Sequence, residues 1–379
     1  MKKSVPPDAG RLHSFIESDP LLSRLAAENT GKGPVYLAGG AVRDVLAGLP
    51  VSDFDLVVER GASDLALSMA QDALIHERFG TAELELGGMR IDVATARRET
   101  YAHPGALPEV DFPVPIAEDL ARRDFTINAM AVPLAEPAKI IDPFDGQRDL
   151  ERGVLRVLHE RSFVDDPTRA LRAARYAARF DFALDPATAD LLADVDLQTV
   201  SRDRVEHELK LIAAEMTGVE ALRLVALWGL IEIETERLDT AAVAVAFLNS
   251  EVWRGRTTRS EAVLEAAFGQ SPELPVETPA RPSAGVSLAA TLSPAQRLVN
   301  RARGVEWLDI YEEEWSTVRL SISGDDLVLA GLPQGPAIGA GLTAALQARL
   351  DRGVEGIDAE LKIAVEAAEA KLNENGGQE

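Results

Sequence analysis

The hydrophobic period of the chain changes part-way along it, and that change restricts the fold more than any other feature. Residues 1–150 interleave short alternating runs with helical ones, whereas beyond residue 160 apolar positions recur at helical spacing. An α/β domain followed by an all-α region is predicted. At 379 residues the chain exceeds the usual size of one core, so two or three packed units are expected. Within the first part, 35–38 reads as an apolar strand stopped by Gly39 and Gly40, and 51–59 alternates. The runs 82–86 and 89–94 alternate on either side of Gly87-Gly88, which predicts a hairpin. The stretch 271–294 holds Pro272, Pro275, Pro279, Pro282 and Pro294 with little helical period, and reads as a surface loop or linker. The polar tail 373–379 is expected to fray.

The chain contains no cysteine, which excludes a disulfide framework, a cysteine zinc site and a thiol nucleophile, and fits an intracellular protein. The N-terminal stretch MKKSVPPDAGRLHSF lacks the apolar core of a signal peptide. The longest apolar runs, 222–231 and 241–248, fall short of the roughly 20 residues that span a bilayer. A cytoplasmic protein with no membrane association is therefore expected. The formal net charge is −23, whereas a protein that binds RNA needs basic surface somewhere. A local basic stripe is present: Arg161, Arg169, Arg172, Arg175 and Arg179 are faced in sequence only by Asp165 and Asp166. His13, His76, His103, His159 and His207 form no metal-ligand spacing.

In the run 51–58 a strand's two-residue period places Asp53 and Asp55 on one face and Phe54, Leu56 and Val58 on the other. Alone, such a pair is equally a solvated strand face. Two like charges side by side favour a cation between them, and hard oxygen ligands suit magnesium better than zinc. A two-metal phosphoryl-transfer site needs such carboxylates. Upstream, 37–44 runs from a strand through Gly39 and Gly40 into a helix, so bare backbone N–H groups can approach a triphosphate; a plain tight turn is the other reading. Arg43, in the first helical turn, is placed to clamp a phosphate oxygen bidentately. Asp92 points opposite to Ile91 and Val93 and offers a third carboxylate.

These residues resemble the bacterial-type (class II) tRNA nucleotidyltransferases, the CCA-adding enzymes, and their poly(A) polymerase relatives. The resemblance rests on Gly39-Gly40-x-x-Arg43-Asp44 followed by Asp53-x-Asp55, on Arg122-Arg123-Asp124-Phe125-Thr126-Ile127-Asn128-Ala129, and on Ile141-Asp142-Pro143-Phe144-Asp145-Gly146. It continues through Asp165-Asp166-Pro167-Thr168-Arg169, Ser201-Arg202-Asp203-Arg204-Val205-Glu206, and the C-terminal 322–327 and 331–336. It implies a polymerase-β-like nucleotidyltransferase head with a small mixed sheet over 1–150. A helical neck over 151–215 and an all-α body and tail over 216–379 would follow, gripping the acceptor and TψC arms of tRNA.

The same resemblance implies that Arg122, Arg123, Asp124 and Asn128 hold the triphosphate and select ribose. Guanidinium groups suit phosphate and a carboxylate accepts from a sugar hydroxyl, although an Arg–Asp surface pair is the plainer reading. An apolar strand is expected over 125–132, just after them. On a helix, Arg169, Arg172, Arg175 and Arg179 share one face and Leu171, Ala174 and Ala178 the other. Asp166 can then accept from the amino group of cytosine or adenine while Arg169 donates to a neighbouring acceptor, with guanine and uracil refused. Asp166 is equally suited to cap that helix, with Pro167 at its first position. Relatives usually carry Glu where Asp165 stands. The Pro/Gly-rich loop 97–110 corresponds to one that in the family helps switch from C to A addition, which implies an enzyme able to add A.

The expected activity is addition of C and/or A from CTP or ATP to the tRNA 3′ end with Mg2+. A poly(A) polymerase or CC-adding enzyme of the same fold is the alternative within the class, and a non-catalytic RNA-binding protein the alternative outside it.

Overall fold

The computed structural model describes residues 9–27 and 33–376; the first eight residues of the N-terminal stretch and 377–379 of the tail lie outside them. Chain contacts divide the protein into two units, the first ending at Glu232 and the second beginning at Ile233.

The first unit is built on a six-stranded sheet. Strands β1 (Val35–Ala38), β2 (Asp53–Val58), β3 (Leu74–His76), β4 (Thr81–Leu86), β5 (Met89–Thr95) and β8 (Ala131–Pro133) lie in the order β3-β4-β5-β2-β1-β8. β2 and β5 run parallel while the other neighbours are antiparallel, so the sheet is mixed as expected. The β4–β5 hairpin closes through Gly87 and Gly88, whose φ angles of 61° and 79° are those of the mirror-image turn that matches strand twist.

Phe54, Leu56 and Val58 enter the main core with Leu37, Ile91 and Val93, each large side chain contributing roughly 1.5–3 kcal/mol by burial. Val57 points the other way, into a smaller cluster with Tyr36, Ile116 and Leu120. That second cover ends before the start of β2, and the open end of this face carries Asp53 and Asp55.

Helices dominate after residue 160, with one exception: Val154–Leu155 and Ala183–Leu184 form a short parallel pair. The helix Thr168–Phe180 packs on the helices Arg202–Ala214 and Gly218–Leu227. Leu171 and Ala174 of the expected apolar side are fully buried, while Ala178 is half-buried near the helix end. The second unit is all helical. Trp253, Leu298, Trp307 and Leu308 form one of its cores, and Leu327, Ala345 and Ala364 belong to another.

Four expectations are corrected. The stretch 271–294 contains a helix, Pro282–Ala289, begun by proline in its first turn and tied by the Ser283 backbone and hydroxyl to Asp351. The tail is helical through Ile357–Gly376 instead of fraying from 373. The loop 97–110 is paired at both ends, where β6 (Arg98–Thr100) and β7 (Glu109–Asp111) form an antiparallel ladder. The strand expected over 125–132 exists only as β8, because Thr126–Asn128 turns as a 3₁₀ helix that places Asn128 beside Asp124. Among the described residues no helix is long and apolar enough to cross a membrane.

Candidate active site

Parallel pairing sets Asp55 of β2 opposite Asp92 of β5, and Asp53 stands two residues before Asp55 on the same face. One carboxylate oxygen from each of the three lies within 4.8 Å of the others. Asp53 is exposed and the other two are half-buried. Burial pushes the Asp55 carboxyl above its usual range; Arg123 pulls it down, while Asp53 and Asp92 push it further up. Burial likewise raises Asp92, against the pull of Arg90, whose Nη2 lies 3.3 Å away. Three hard oxygens converging with this little counter-charge fit a divalent cation.

The turn behind them explains its glycine. Gly39 has φ 67°, and a Cβ there would run into Arg123 Nη1 and lie 2.8 Å from Asp55 Oδ2. A side chain at 39 would displace the Asp55 carboxylate and an arginine together.

The carboxylates line a cleft of about 850 Å³ together with Arg122, Arg123, Asp166, Arg169, Arg172 and Arg175. Its lining therefore carries both signs of charge.

Residues 35–156 match the family model described as the Poly A polymerase head domain. The chain is 36% identical over 349 residues to the CC-adding tRNA nucleotidyltransferase of Deinococcus radiodurans, covering 89% of this chain and 90% of that one. The chain belongs to the tRNA nucleotidyltransferase family. It is also 46% identical over 199 residues to the A-adding tRNA nucleotidyltransferase of Aquifex aeolicus, a match that takes in 50% of this chain but only 24% of that relative's length. A solved CCA-adding enzyme with ATP superposes over 96% of this chain and 99% of its own, with TM-score 0.76 and 28% identity. The polymerase-type head and helical remainder are those of this tRNA nucleotidyltransferase fold.

The remaining expected residues are placed as follows. Asp124 is buried; its Oδ1 accepts from the Phe125 N–H at 2.8 Å and Asn128 Nδ2 at 2.9 Å, and its Oδ2 meets Arg172 at 2.6 Å. Burial opposes its charge, but Arg172 and Asn128 hold its carboxyl below the usual range. Arg122 is held by Asp119 at 2.9 Å and Glu99 at 2.7 Å, and Arg123 by Asp119 at 3.3 Å. Both still line the cleft.

Arg169 is buried and donates to Ser162 Oγ at 2.8 Å and to the Arg122 carbonyl at 2.8 Å, with Tyr101 Oη at 3.5 Å. At most three of its five N–H groups are thereby engaged. Asp166 is half-buried, and its Oδ1 accepts from Thr168 N and Oγ1. This is a cap-like contact, although the helix proper starts at Thr168 with Pro167 before it.

Two groups of expected residues line the cleft but are also engaged within the protein. Arg43 is 3% exposed, and its donors go to Asp44 and Asn128, with the Tyr176 and Phe180 rings 5.2 and 4.8 Å from its guanidinium. In this structure its fork is taken up by Asp44 and Asn128, which pins the helix Gly40–Leu46 to its surroundings. The basic stripe is also not free. Arg172 and Arg175 face Glu208 at 3.9 and 3.6 Å, Arg175 and Arg179 face Glu215 at 3.7 and 3.6 Å, and Arg179 faces Asp44 at 3.8 Å.

Asp119, Glu208 and Glu215 carried no expectation from the sequence, and Arg204 entered only as part of the motif 201–206. A signal existed: Arg204, Glu208, Leu211 and Glu215 recur at 4, 3 and 4 residues and share one helix face, and Asp119 precedes Arg122 and Arg123 by 3 and 4.

Proposed function

We propose that the protein transfers nucleotides from CTP and/or ATP to the 3′ end of tRNA, using Mg2+ held by Asp53 and Asp55 with Asp92 beside them. The reading is carried by the three converging carboxylates in a cleft that is also lined by arginines. It is supported by family membership and by the names of the relatives, which add CC or A to tRNA.

In the reaction the RNA 3′-oxygen attacks the α-phosphorus in line. A new P–O bond forms, the bond from the α-phosphorus to the bridging oxygen breaks, the hydroxyl proton is lost and pyrophosphate leaves. Bound magnesium supplies charge neutralisation at the phosphates and a more acidic 3′-hydroxyl. Arg123, beside Gly39 and Asp55, is placed for phosphate oxygens, with Arg122 anchored behind it by Asp119 and Glu99. Asp124 and Asn128, together with Arg172, build the sugar-side wall. Asp166 and the unengaged N–H groups of Arg169 read the base edge, while Arg175 sustains the wall through Glu208. Catalysis on this reading is positioning and charge compensation, with no covalent enzyme intermediate.

Purified protein incubated with tRNAs ending before CCA, after C and after CC, each with labelled CTP or ATP, tests the reading. Magnesium-dependent extension resolved to single nucleotides is expected, and the three substrates separate CC, A and full CCA addition. Tailing of arbitrary RNA with many A residues would assign a poly(A) polymerase instead. Binding of tRNA with no extension in any lane would leave only an RNA-binding protein.

A further inference from the structure

We infer that Arg204 is a positioning residue for base selection, fixing the carboxylate of Asp166 so that only one of its oxygens faces the nucleotide. The inference rests on the proposed reading of Asp166 as the acceptor for a base amino group. Its own observation is the distribution of donors around that carboxylate.

Oδ1 accepts two hydrogen bonds, from Thr168 N at 3.1 Å and Thr168 Oγ1 at 2.6 Å, and is ion-paired with Arg204 Nη2 at 2.8 Å. Among the described residues no hydrogen bond reaches Oδ2. The carboxylate sits on the cleft wall, as does Arg204. One oxygen is therefore saturated by the protein and the other is left for a ligand.

Arg204 is itself fixed. It stands in the first turn of the helix Arg202–Ala214, and its Nη1 donates to the Gly105 carbonyl at 3.1 Å. Gly105 cannot shift easily: its N–H bonds the Val164 carbonyl at 3.2 Å, it has φ 70°, and a Cβ there would lie 2.5 Å from the Thr199 carbonyl oxygen. The guanidinium thus spans two acceptors from different parts of the chain, which suits a planar fork and not a point charge.

The consequence for selection is geometric. A carboxylate distinguishes an amino group from a carbonyl only while an unpaired oxygen is held toward the base, and a site built to hydrogen-bond a group rejects analogues lacking it most strongly. With Arg204 removed, Asp166 keeps only the Thr168 donors and is free to rotate out of line or to offer either oxygen.

The test compares kcat/KM for CTP, ATP, UTP and GTP on truncated tRNA, with tRNA affinity and thermal melting measured in parallel. For Arg204→Ala, the preference for the correct nucleotide over UTP should fall by about tenfold or more while tRNA affinity stays within about twofold. Arg204→Lys, reaching one acceptor at a time, should restore part of the preference. Thr168→Val removes a donor from the same oxygen and should lower the preference in the same direction by less, so the question remains answerable should Arg204→Ala not fold. An equal fall for all four nucleotides, or an unchanged preference in a folded variant, overturns the inference. Wild-type protein that extends tRNA with all four nucleotides alike overturns it too and leaves the transferase reading standing. Wild-type protein that extends no tRNA removes that reading itself.

Discussion

Two clusters of charge lie in the same unit and are treated in opposite ways. At the open end of β2 and β5, Asp53, Asp55 and Asp92 crowd together with Arg123 and Arg90 as their nearby cations, and burial and mutual repulsion raise Asp55 and Asp92. Along the helix Thr168–Phe180, Arg172, Arg175 and Arg179 are each met by acids from other elements. The first cluster is incomplete without a cation from outside; the second has its charges matched within the protein, although Arg172 Nε, Arg175 Nε and Glu208 Oε2 are buried without a hydrogen-bond partner. Net charge distinguishes neither, since both sit in a chain of formal charge −23. What distinguishes them is whether the fold brings a counter-charge to each group, and a cluster left uncompensated marks where ligand charge enters.

Removing a member of the open cluster should abolish function and spare the fold. Asp53→Ala is expected to lower nucleotide incorporation by roughly 10³-fold or more, at least the effect of removing one preorganised charge-stabilising group. Retained tRNA binding and an unchanged melting curve would accompany it, and chelation of divalent cations should reproduce the loss in wild-type protein, reversed by added magnesium. Turnover surviving in this variant would place the metal elsewhere.

Removing a member of the closed cluster should do the reverse. Glu208→Gln leaves Arg175 with Glu215 and Arg172 with Asp124, so a cost toward the lower end of the ~3–5 kcal/mol for breaking a buried pair is expected in denaturant unfolding. A stability equal to wild type would show that the lattice is not closed in solution.

Asp119 sharpens the comparison through pH. Burial opposes its ionisation, but Arg122 and Arg123 hold its carboxyl below the usual range. A depressed folded value means that its contribution is complete above the unfolded value of about 3.9 and is lost as pH falls through the folded one. Asp119→Asn should therefore be less stable than wild type at neutral pH, with the difference shrinking below about pH 4 in unfolding titrations. A gap independent of pH would mean that packing, not charge, is what the substitution removes.

The smallest effect belongs to Arg90, whose side chain is 63% exposed beside Asp92 and Glu83. Arg90→Ala should change stability by no more than about 0.5 kcal/mol, as exposed pairs do. A larger change would show that Arg90 compensates the open cluster after all.

The sequence by itself determined the order of α/β before all-α, the hairpin at Gly87-Gly88, the common face of Asp53 and Asp55, and the buried side of the helix Thr168–Phe180. These are local properties: a period of two or 3.6 and a glycine with positive φ are legible within a few residues. The helix Pro282–Ala289 escaped because five prolines masked a two-turn element whose first position tolerates proline. Only the tertiary structure decided which charges are matched. Arg43 turned from expected phosphate clamp to buried pin because Asn128 and Tyr176, far along the chain, surround it, and the arginine stripe lost its freedom to Asp44, Asp124, Glu208 and Glu215. Charge compensation acts through space over a few ångströms, so it depends on elements that sequence spacing does not bring together.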